Sequence, residues 1–349
     1  MQSPWDYADF DDHEVVHFVT DRATGLKAII AVHSTRLGPG AGGTRFWHYA
    51  NSGDAVADVL RLSRGMSFKN AMAGLKLGGG KAVILADEAR TKTPEMLAAY
   101  GRAIDRLGGT YVTAEDVGIS VADLVEVSKH TKHVSGLPAA AGAAGGDPGP
   151  FTSYGVYLGV RAAVRRQLGK DSLAGLHIAV QGAGSVASGL ARRAAEDGAR
   201  VSIADIDQSK AQALADEVGG VTVDPGEIMT IEADVLSPCA LGAILTEESI
   251  AALRVPVVAG GANNQLATPA DGDRVQARGI LYAPDYVINA GGIINVGSEI
   301  LGNADEAGVN RMIEEIPGRL DSIWEESAAT GRNPAAVADD MARRLIGRG

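Results

Sequence analysis

A single cysteine, Cys239, stands in a chain of 349 residues. That excludes an internal disulfide framework and any cysteine-rich metal site. No uninterrupted apolar stretch approaches the ~18 residues that would mark a membrane span. The first residues, MQSPWDYADFDDHE, are acidic and carry no apolar run, so no signal peptide is expected there. Positive charge is also in deficit: 32 Lys and Arg face 43 Asp and Glu, a net charge of −11. This argues against a protein that tracks phosphate backbones, and neither nucleic acid nor membrane is expected as a partner. No Gly-x-Ser-x-Gly elbow occurs, so a serine hydrolase has no support. What remains is 46% hydrophobic and 21% charged residues. These suffice for real cores, and the length is comfortable for two domains of a cytoplasmic-type globular protein.

One residue type is abundant instead. Glycine supplies 45 positions, about twice the usual ~7%. Either the chain is disordered or bare backbone is needed at particular places, and the positions decide which.

The first part of the chain reads as a hairpin, His13–Thr20 and Leu26–His33 around DRATG, followed by mixed α/β structure. Asn51 to Asp54 supply caps for a helix over Ala55–Leu62. Lys81–Leu85 is a short strand, Thr93-Pro94-Glu95 opens a helix to Leu107, and Thr110–Ala114 is a strand. Ser120 to Asp123 form a capping box. Between Ser135 and Pro150 the run GLPAAAGAAGGDPGP reads as a loop or linker, and a gated loop at a domain boundary fits what flanks it. Beyond it, apolar strands alternate with helices: Thr152–Gln167, His177–Gln181, Val201–Ala204, Val221–Val223, Asp234–Leu236, Val255–Ala259 and Gly279–Tyr282. This rhythm predicts a parallel, doubly wound sheet. From about Asp305 to Arg348 the chain is helical. The expected fold class is α/β in two domains separated by a cleft. Residues 1–135 with about 330–349 form an N-terminal mixed-sheet domain, and 136–329 form a Rossmann dinucleotide-binding domain.

Gly182-Ala-Gly184-Ser185-Val186-Ala187 follows the strand ending at Gln181 and opens a helix. Gly182 allows the tight turn, Gly184 lets backbone approach a pyrophosphate, and Ala187 permits close helix–strand packing. Asp205, at the end of the next strand, can accept both ribose hydroxyls but would repel a 2′-phosphate. The expected cofactor is therefore NAD. A helix cap at Asp205-Ile-Asp207 is compatible with that ribose role, which Asp207 can share or take. In the first domain, Leu37 to Arg45 (LGPGAGGTR) reads as a glycine-dense loop. Lys69 and Lys81 lie in GMSFKNAMAG and LKLGGGKAVIL. A partly desolvated lysine, or one beside a second cation, has a lowered pKa and can act as a base. The bland alternative is two solvated surface lysines. Glu115-Asp116 ends a strand, where site residues of α/β proteins gather.

The stretches LGPGAGGTR, RLSRGMSFKNAMAGLKLGGGKAV, TAEDVG, QGAGSVA, SPCALGAIL, GGANNQL and ILYAPDYVINAGGIINV run in this order from about Leu26 to Glu299. Together they resemble the glutamate/leucine/phenylalanine/valine dehydrogenase superfamily, the leucine and valine branch above all. The resemblance implies NAD-dependent oxidative deamination of an L-amino acid to a 2-oxo acid and ammonia, in a homo-oligomer. It places Lys69 on the substrate carboxylate, Lys81 on the water that attacks the imine, and Asp116 on proton transfer to and from nitrogen. Gly42 and Gly43 would flank the substrate, and Asn263 would orient both carboxylate and nicotinamide. Thr152 would contact the nicotinamide end, Ala240 would line the cofactor site, and residues 142–150 would form the hinge. Ala41, Ile293 and Val296 would line the side-chain pocket. Ala41 stands where leucine-type relatives usually carry leucine, and aromatic-specific relatives share the alanine. Branched aliphatic substrates are expected, with phenylalanine or tryptophan as the alternative. No charge is placed to pair a γ-carboxylate. A non-catalytic NAD-binding regulator is the remaining reading. His13/His17 and His130/His133 lack the geometry or the third ligand of a metal site, and Cys239 reads as a small buried hydrophobe.

Overall fold

A computed structural model describes residues 3–138 and 144–349. The chain divides into two compact units. The first comprises Met1–Asp147, Ile293–Val309 and Ala342–Gly349, and the second Pro148–Gly292 and Asn310–Met341.

The first unit is built from β1 (Val15–Asp21), β2 (Leu26–Ser34), β3 (Gly40–Trp47), α1 (Ser52–Met72), β4 (Gly78–Leu85), α2 (Pro94–Asp105), β5 (Tyr111–Ala114) and α3 (Val121–Ser128). Its sheet has the order β1-β2-β4-β3-β5. β2 pairs antiparallel with β1 and β4, while β3 runs parallel to β4 and β5. Its central strands are buried on both faces. Ile30, Ile84 and Tyr111 pack with Tyr100 and Ile104 of α2 and Leu124 of α3 on one side. Ile29, Ala31 and Val83 meet Val56, Val59 and Leu60 of α1 on the other. That double burial explains the unbroken apolar run in β2. Asn51 caps α1, its side chain accepting from the Asp54 N–H at 3.0 Å, and Ser120 and Asp123 form the expected capping box of α3.

Two expectations change here. LGPGAGGTR is no loop from Gly40 onward, because β3 occupies the sheet between β4 and β5. The helix expected over Ala55–Leu62 continues to Met72. Both differences have one cause. A Cβ at Gly42 would meet the Gly80 carbonyl oxygen, one at Gly43 the Glu115 carbonyl, and one at Gly79 the backbone nitrogen and Oγ of Ser67. Bare strands let neighbouring backbone and the later turns of α1 approach closely, which strand propensity alone does not register.

The second unit has a six-stranded sheet of order β11-β10-β9-β6-β7-β8, parallel throughout. Its strands are β6 (His177–Gln181), β7 (Arg200–Ala204), β8 (Val221–Thr222), β9 (Val235–Pro238), β10 (Val257–Val258) and β11 (Leu281–Tyr282). Its helices are α4 (Gly149–Leu168), α5 (Ser185–Glu196), α6 (Gln208–Val218), α7 (Glu247–Ala252), α8 (Pro269–Ala277), α9 (Asp285–Ile288) and α12 (Ile316–Thr330). Strand order reverses between β6 and β9, so the loops after Gln181 and Pro238 flank a switch point of the kind that binds ligands in α/β sheets. Trp324 on α12 is buried and donates its indole N–H to the Tyr282 carbonyl at 2.9 Å.

Three further helices, α10 (Gly291–Leu301), α11 (Glu306–Ile313) and α13 (Pro334–Leu345), complete the chain. The first unit reaches beyond the boundary expected at 135 and takes in Ile293–Val309. On α10, the buried Asn295 exchanges two hydrogen bonds with Gly145, at 2.8 and 2.9 Å. Glu299 accepts from the Gly136 N–H at 2.9 Å. The glycine-rich run is thus held at both ends by one helix, and its residues 139–143 lie outside the described residues. None of the helices among the described residues is long and apolar enough to cross a membrane.

Gly79→Ala should cost ~1–3 kcal/mol, as overpacking in a tight interior does. Gly65→Ala, on α1 with nothing within 4 Å of the added methyl, should stabilise by about 0.5–1 kcal/mol through helix propensity. Equilibrium urea unfolding of the two variants checks the contrast.

Candidate active site

Lys81 lies on β4 two residues before Val83, so strand alternation puts both on the face covered by α1. Its side chain is 9% exposed, and its Nζ contacts Oδ2 of Asp116, in the turn after β5. Val117 N–H donates to the other oxygen, Oδ1, at 2.7 Å. Burial pushes the Lys81 ammonium below the ordinary lysine range, and the Asp116 carboxylate opposes this only in part; the nearby Arg45 cation pushes the same way as burial. Burial alone would raise Asp116, but the Lys81 ammonium, the Val117 N–H and Arg45 outweigh it, and the carboxyl is held below its usual value. A lysine easier to deprotonate than usual beside an ionised carboxylate is suited to proton transfer.

Gly43 lies directly against Asp116: a Cβ there would come within 2.9 Å of the aspartate Cβ. Gly42 is covered by Met66 of α1, 3.0 Å from the position of an added Cβ. Lys69, three residues further along α1 and partly exposed, occupies the same face of the helix. The buried Asn70 donates to the Gly78 carbonyl at 2.6 Å and tethers α1 to the start of β4. Ala41 is fully buried. Ile293 and Val296, one turn apart on α10, are both partly exposed, while Ile294 and Asn295 between them are buried. A Cβ at Gly297, next on that helix, would strike Leu75, so α10 seats closely on the segment before β4.

In the second unit Gly182 has φ +109°, a conformation natural only to glycine, and an added Cβ there would stand 3.1 Å from that of Ala240. Gly184 is different: nothing lies within 4 Å of an added Cβ, and the residue is exposed. It precedes α5, whose N-terminus has no side-chain cap, so the amides of Ser185, Val186 and Ala187 open the helix without a protein anion on them. Such an end favours a phosphate. Asp205 accepts from the Ala183 N–H at 2.7 Å and the Asp207 N–H at 2.8 Å, which fixes its carboxylate beside the glycine turn. Asp207 instead caps α6 through the Ser209 and Lys210 amides, so the two aspartates divide the alternatives left open by the sequence. The open position at Gly184, the uncapped helix and the fixed carboxylate fit a dinucleotide. Thr152 donates its hydroxyl to the Pro148 carbonyl at 2.8 Å in the first turn of α4. Asn263 is exposed, and its Oδ1 accepts from Asn289 at 2.8 Å, which leaves its amide N–H groups to point elsewhere.

Three residues escaped the sequence reading. Ile206 is 90% exposed immediately after Asp205. Asn289, 3% exposed, holds Asn263 and the Gly261 carbonyl at 3.2 Å. Arg45 lies 3.6 Å from Asp116 Oδ2. Only Asn289 left a trace, as an isolated polar residue in an apolar run. Among the described residues no group of three His, Cys, Asp or Glu side chains could hold a metal. Cys239 is a free thiol whose pKa burial pushes up.

Residues 13–133 match the family described as Glu/Leu/Phe/Val dehydrogenase, dimerisation domain, and residues 202–339 that described as Glutamate/Leucine/Phenylalanine/Valine dehydrogenase. The chain is 46% identical over 343 residues to leucine dehydrogenase of Bacillus subtilis (strain 168), covering 98% of this chain and 93% of that one. It is 43% identical over 343 residues to valine dehydrogenase of Streptomyces albus, covering 97% and 94%. The crystal structure of L-tryptophan dehydrogenase from Nostoc punctiforme is similar with a TM-score of 0.86 and 40% identity over 96% of each chain. A hetero-hexameric glutamate dehydrogenase from Thermus thermophilus, 20% identical and covering 96% of this chain and 88% of that one, shares the fold with a TM-score of 0.74. With both profiles in sequence order and such identities over nearly its whole length, the chain belongs to the glutamate/leucine/phenylalanine/valine dehydrogenase family.

Proposed function

We propose that the protein catalyses the reversible, NAD-dependent oxidative deamination of branched aliphatic L-amino acids such as leucine, valine and isoleucine to 2-oxo acids and ammonia. The observation that carries this reading is the pair formed by the buried Lys81 and the largely buried Asp116. Taking two charges out of water costs several kcal/mol each and is repaid only by good geometry, so a chain that merely bound a nucleotide would have no use for it. Similarity to leucine and valine dehydrogenases supports the substrate class.

Gly182, Gly184, the α5 amides and Asp205 would hold the dinucleotide, with Ala240, Asn263 and Thr152 toward its nicotinamide end. When bound, it supplies the acceptor for the hydride on the substrate α-carbon. The remaining work falls to the chain. Lys69 anchors the substrate carboxylate as a point charge. Lys81, whose ammonium burial disfavours, takes a proton from the water that adds to the imine carbon. Asp116 receives and returns protons at the departing nitrogen. Gly42 and Gly43 let α1 and the segment after β5 close against bare backbone, which brings these groups together. Ala41 lies under the site, and Ile293 and Val296 offer an apolar wall. The family profile over residues 13–133, described as a dimerisation domain, supports a homo-oligomer.

Lys81→Ala should lower kcat by ~10²-fold or more, in the range lost when a general base is removed, while NAD still binds by fluorescence titration. Lys69→Ala should instead raise KM for the amino acid. Asp205→Ala should raise KM for NAD roughly tenfold or more, since a hydrogen bond to a charged acceptor contributes ~1.5–3 kcal/mol, and should narrow the preference over NADP. A panel of L-amino acids with NAD at alkaline pH, followed by absorbance of the reduced cofactor, ranks the substrates. Leucine and valine are expected first. A second reading, preference for tryptophan or phenylalanine, is favoured by the small Ala41 and the likeness to the Nostoc enzyme, and it predicts aromatic acids at the head of the ranking. No turnover with any amino acid would leave only a nucleotide-binding role.

A further inference from the structure

Behind the Lys81–Asp116 pair the charges continue in alternation. Asp116 Oδ2 touches Lys81 Nζ on one side and lies 3.6 Å from Arg45 Nε on the other. That Nε is buried, and among the described residues its N–H has no hydrogen-bond partner. Arg45 is held from behind: its Nη1 donates to Asp58 Oδ2 at 2.8 Å. Asp58 in turn is fixed by the Tyr49 hydroxyl at 2.8 Å on the same oxygen and by Arg61 at 2.8 Å on Oδ1. Arg45 comes from β3, Asp58 and Arg61 from α1, and Tyr49 from the loop between them. The side chains of Asp58, Asp116 and Arg45 are 15%, 19% and 24% exposed, whereas Arg61 at 44% reaches water. A five-membered chain Lys81–Asp116–Arg45–Asp58–Arg61 therefore runs from the buried lysine to the surface.

We propose that Arg45, braced by Asp58, is a positioning residue that holds Asp116 ready to exchange its partner from Lys81 to Arg45 during turnover. The inference rests on the reading of Lys81 and Asp116 as the proton-transfer pair. Asp116 is anchored through Oδ1 by the Val117 N–H, so only Oδ2 is free to choose between the two cations. When Lys81 gives up its proton or turns to the substrate, Oδ2 loses its counter-charge while still largely buried. A guanidinium 3.6 Å away needs to close by only about 0.6 Å to make a charge-assisted hydrogen bond of ordinary length. The carboxylate then stays in place, ready to receive a proton from the departing nitrogen, instead of swinging toward water. Arginine suits this because its planar fork can serve Asp58 with one nitrogen and Asp116 with another; a lysine offers one ammonium for both. Other titratable groups on the flanking elements include the exposed Glu115 beside Asp116, the buried Tyr111 phenol on β5 and the partly exposed Lys69 on α1.

The signs of the electrostatic effects differ along the chain, and this makes a test. Arg45 disfavours the Lys81 ammonium, and Asp58 favours it. In the pH profile of log kcat/KM for deamination, the acidic limb reports the loss of a proton from Lys81. Arg45→Gln should move that limb to higher pH by about one unit, the size of shift a charge within reach produces, and should lower kcat about tenfold or more. Asp58→Asn should move it the other way, by less. Arg45→Lys should return the limb toward its parental position without restoring kcat, because charge is kept and the bridge is lost. Profiles for both Arg45→Gln and Asp58→Asn that superimpose on the parent, with only melting temperatures changed, would overturn the proposal and leave Arg45 a structural ion. Should Arg45→Gln fail to fold, Arg45→Lys and Asp58→Asn decide by the same criteria. Lys81→Ala, measured alongside, separates the two levels. If it turns over normally, the reading of the catalytic pair falls. If it is inactive while the Arg45 and Asp58 profiles stay parental, only the role of Arg45 falls.

Discussion

The first unit depends on how closely α1 and the neighbouring strands approach backbone that carries no side chain. Gly42 is filled by the Gly80 carbonyl and Met66, Gly43 by Glu115 and Asp116, and Gly79 by Ser67. Each is a place where one methyl would force the helix off the sheet or the strands apart. From this proximity follow the burial of Lys81 and its contact with the carboxylate after β5. The glycines that suggest space for a ligand are therefore mostly occupied by the protein itself. Their contribution to chemistry is indirect, since they bring a lysine and an aspartate into one poorly hydrated place. Gly184 differs from these: nothing lies within 4 Å of an added Cβ, and its backbone is left open at the start of α5.

The two units solve the problem of charge differently. In the second, an anion would be received by helix amides and discriminated by a carboxylate, so net positive charge is unnecessary and the surplus of acidic residues does no harm. The first keeps its cations in company. Lys81 is paired with Asp116, and Arg45 is shared between Asp116 and Asp58. A low-dielectric setting makes each of these contacts strong and each unpaired charge costly, so displacement of one partner must be matched by another. That condition gives Arg45 a place in the chemistry without contact with a substrate.

Much of this was legible along the chain. The strand–turn–helix at Gln181–Ala187 appears where the alternating rhythm and the glycine spacing place it, and β6 has the expected bounds. The Asn51 and Ser120 caps are local hydrogen bonds, readable because the partners are three residues apart. Glycine-rich β3 reads as a loop in sequence because its stability lies in neighbours distant along the chain. Ile206 and Arg45 left no signal: one is a lone exposed hydrophobe, the other an ordinary arginine after two glycines. The glycine-rich run near 135–150 suggested a domain boundary from composition, yet Asn295 and Glu299, about 150 residues later, decide where its ends belong.

The sequence by itself determined the family, the parallel sheet, the glycine turn and the acidic residue that follows it. These rest on local periodicity and fixed short spacings, which survive without knowledge of the fold. Only the tertiary structure decided that Lys81 and Asp116 touch, that Asp205 faces the glycine turn while Asp207 caps a helix, and that Arg45 completes the chain of charges. Those facts depend on contacts between residues tens of positions apart and on the burial that gives each charge its strength. Neither quantity is carried by any one stretch of the chain.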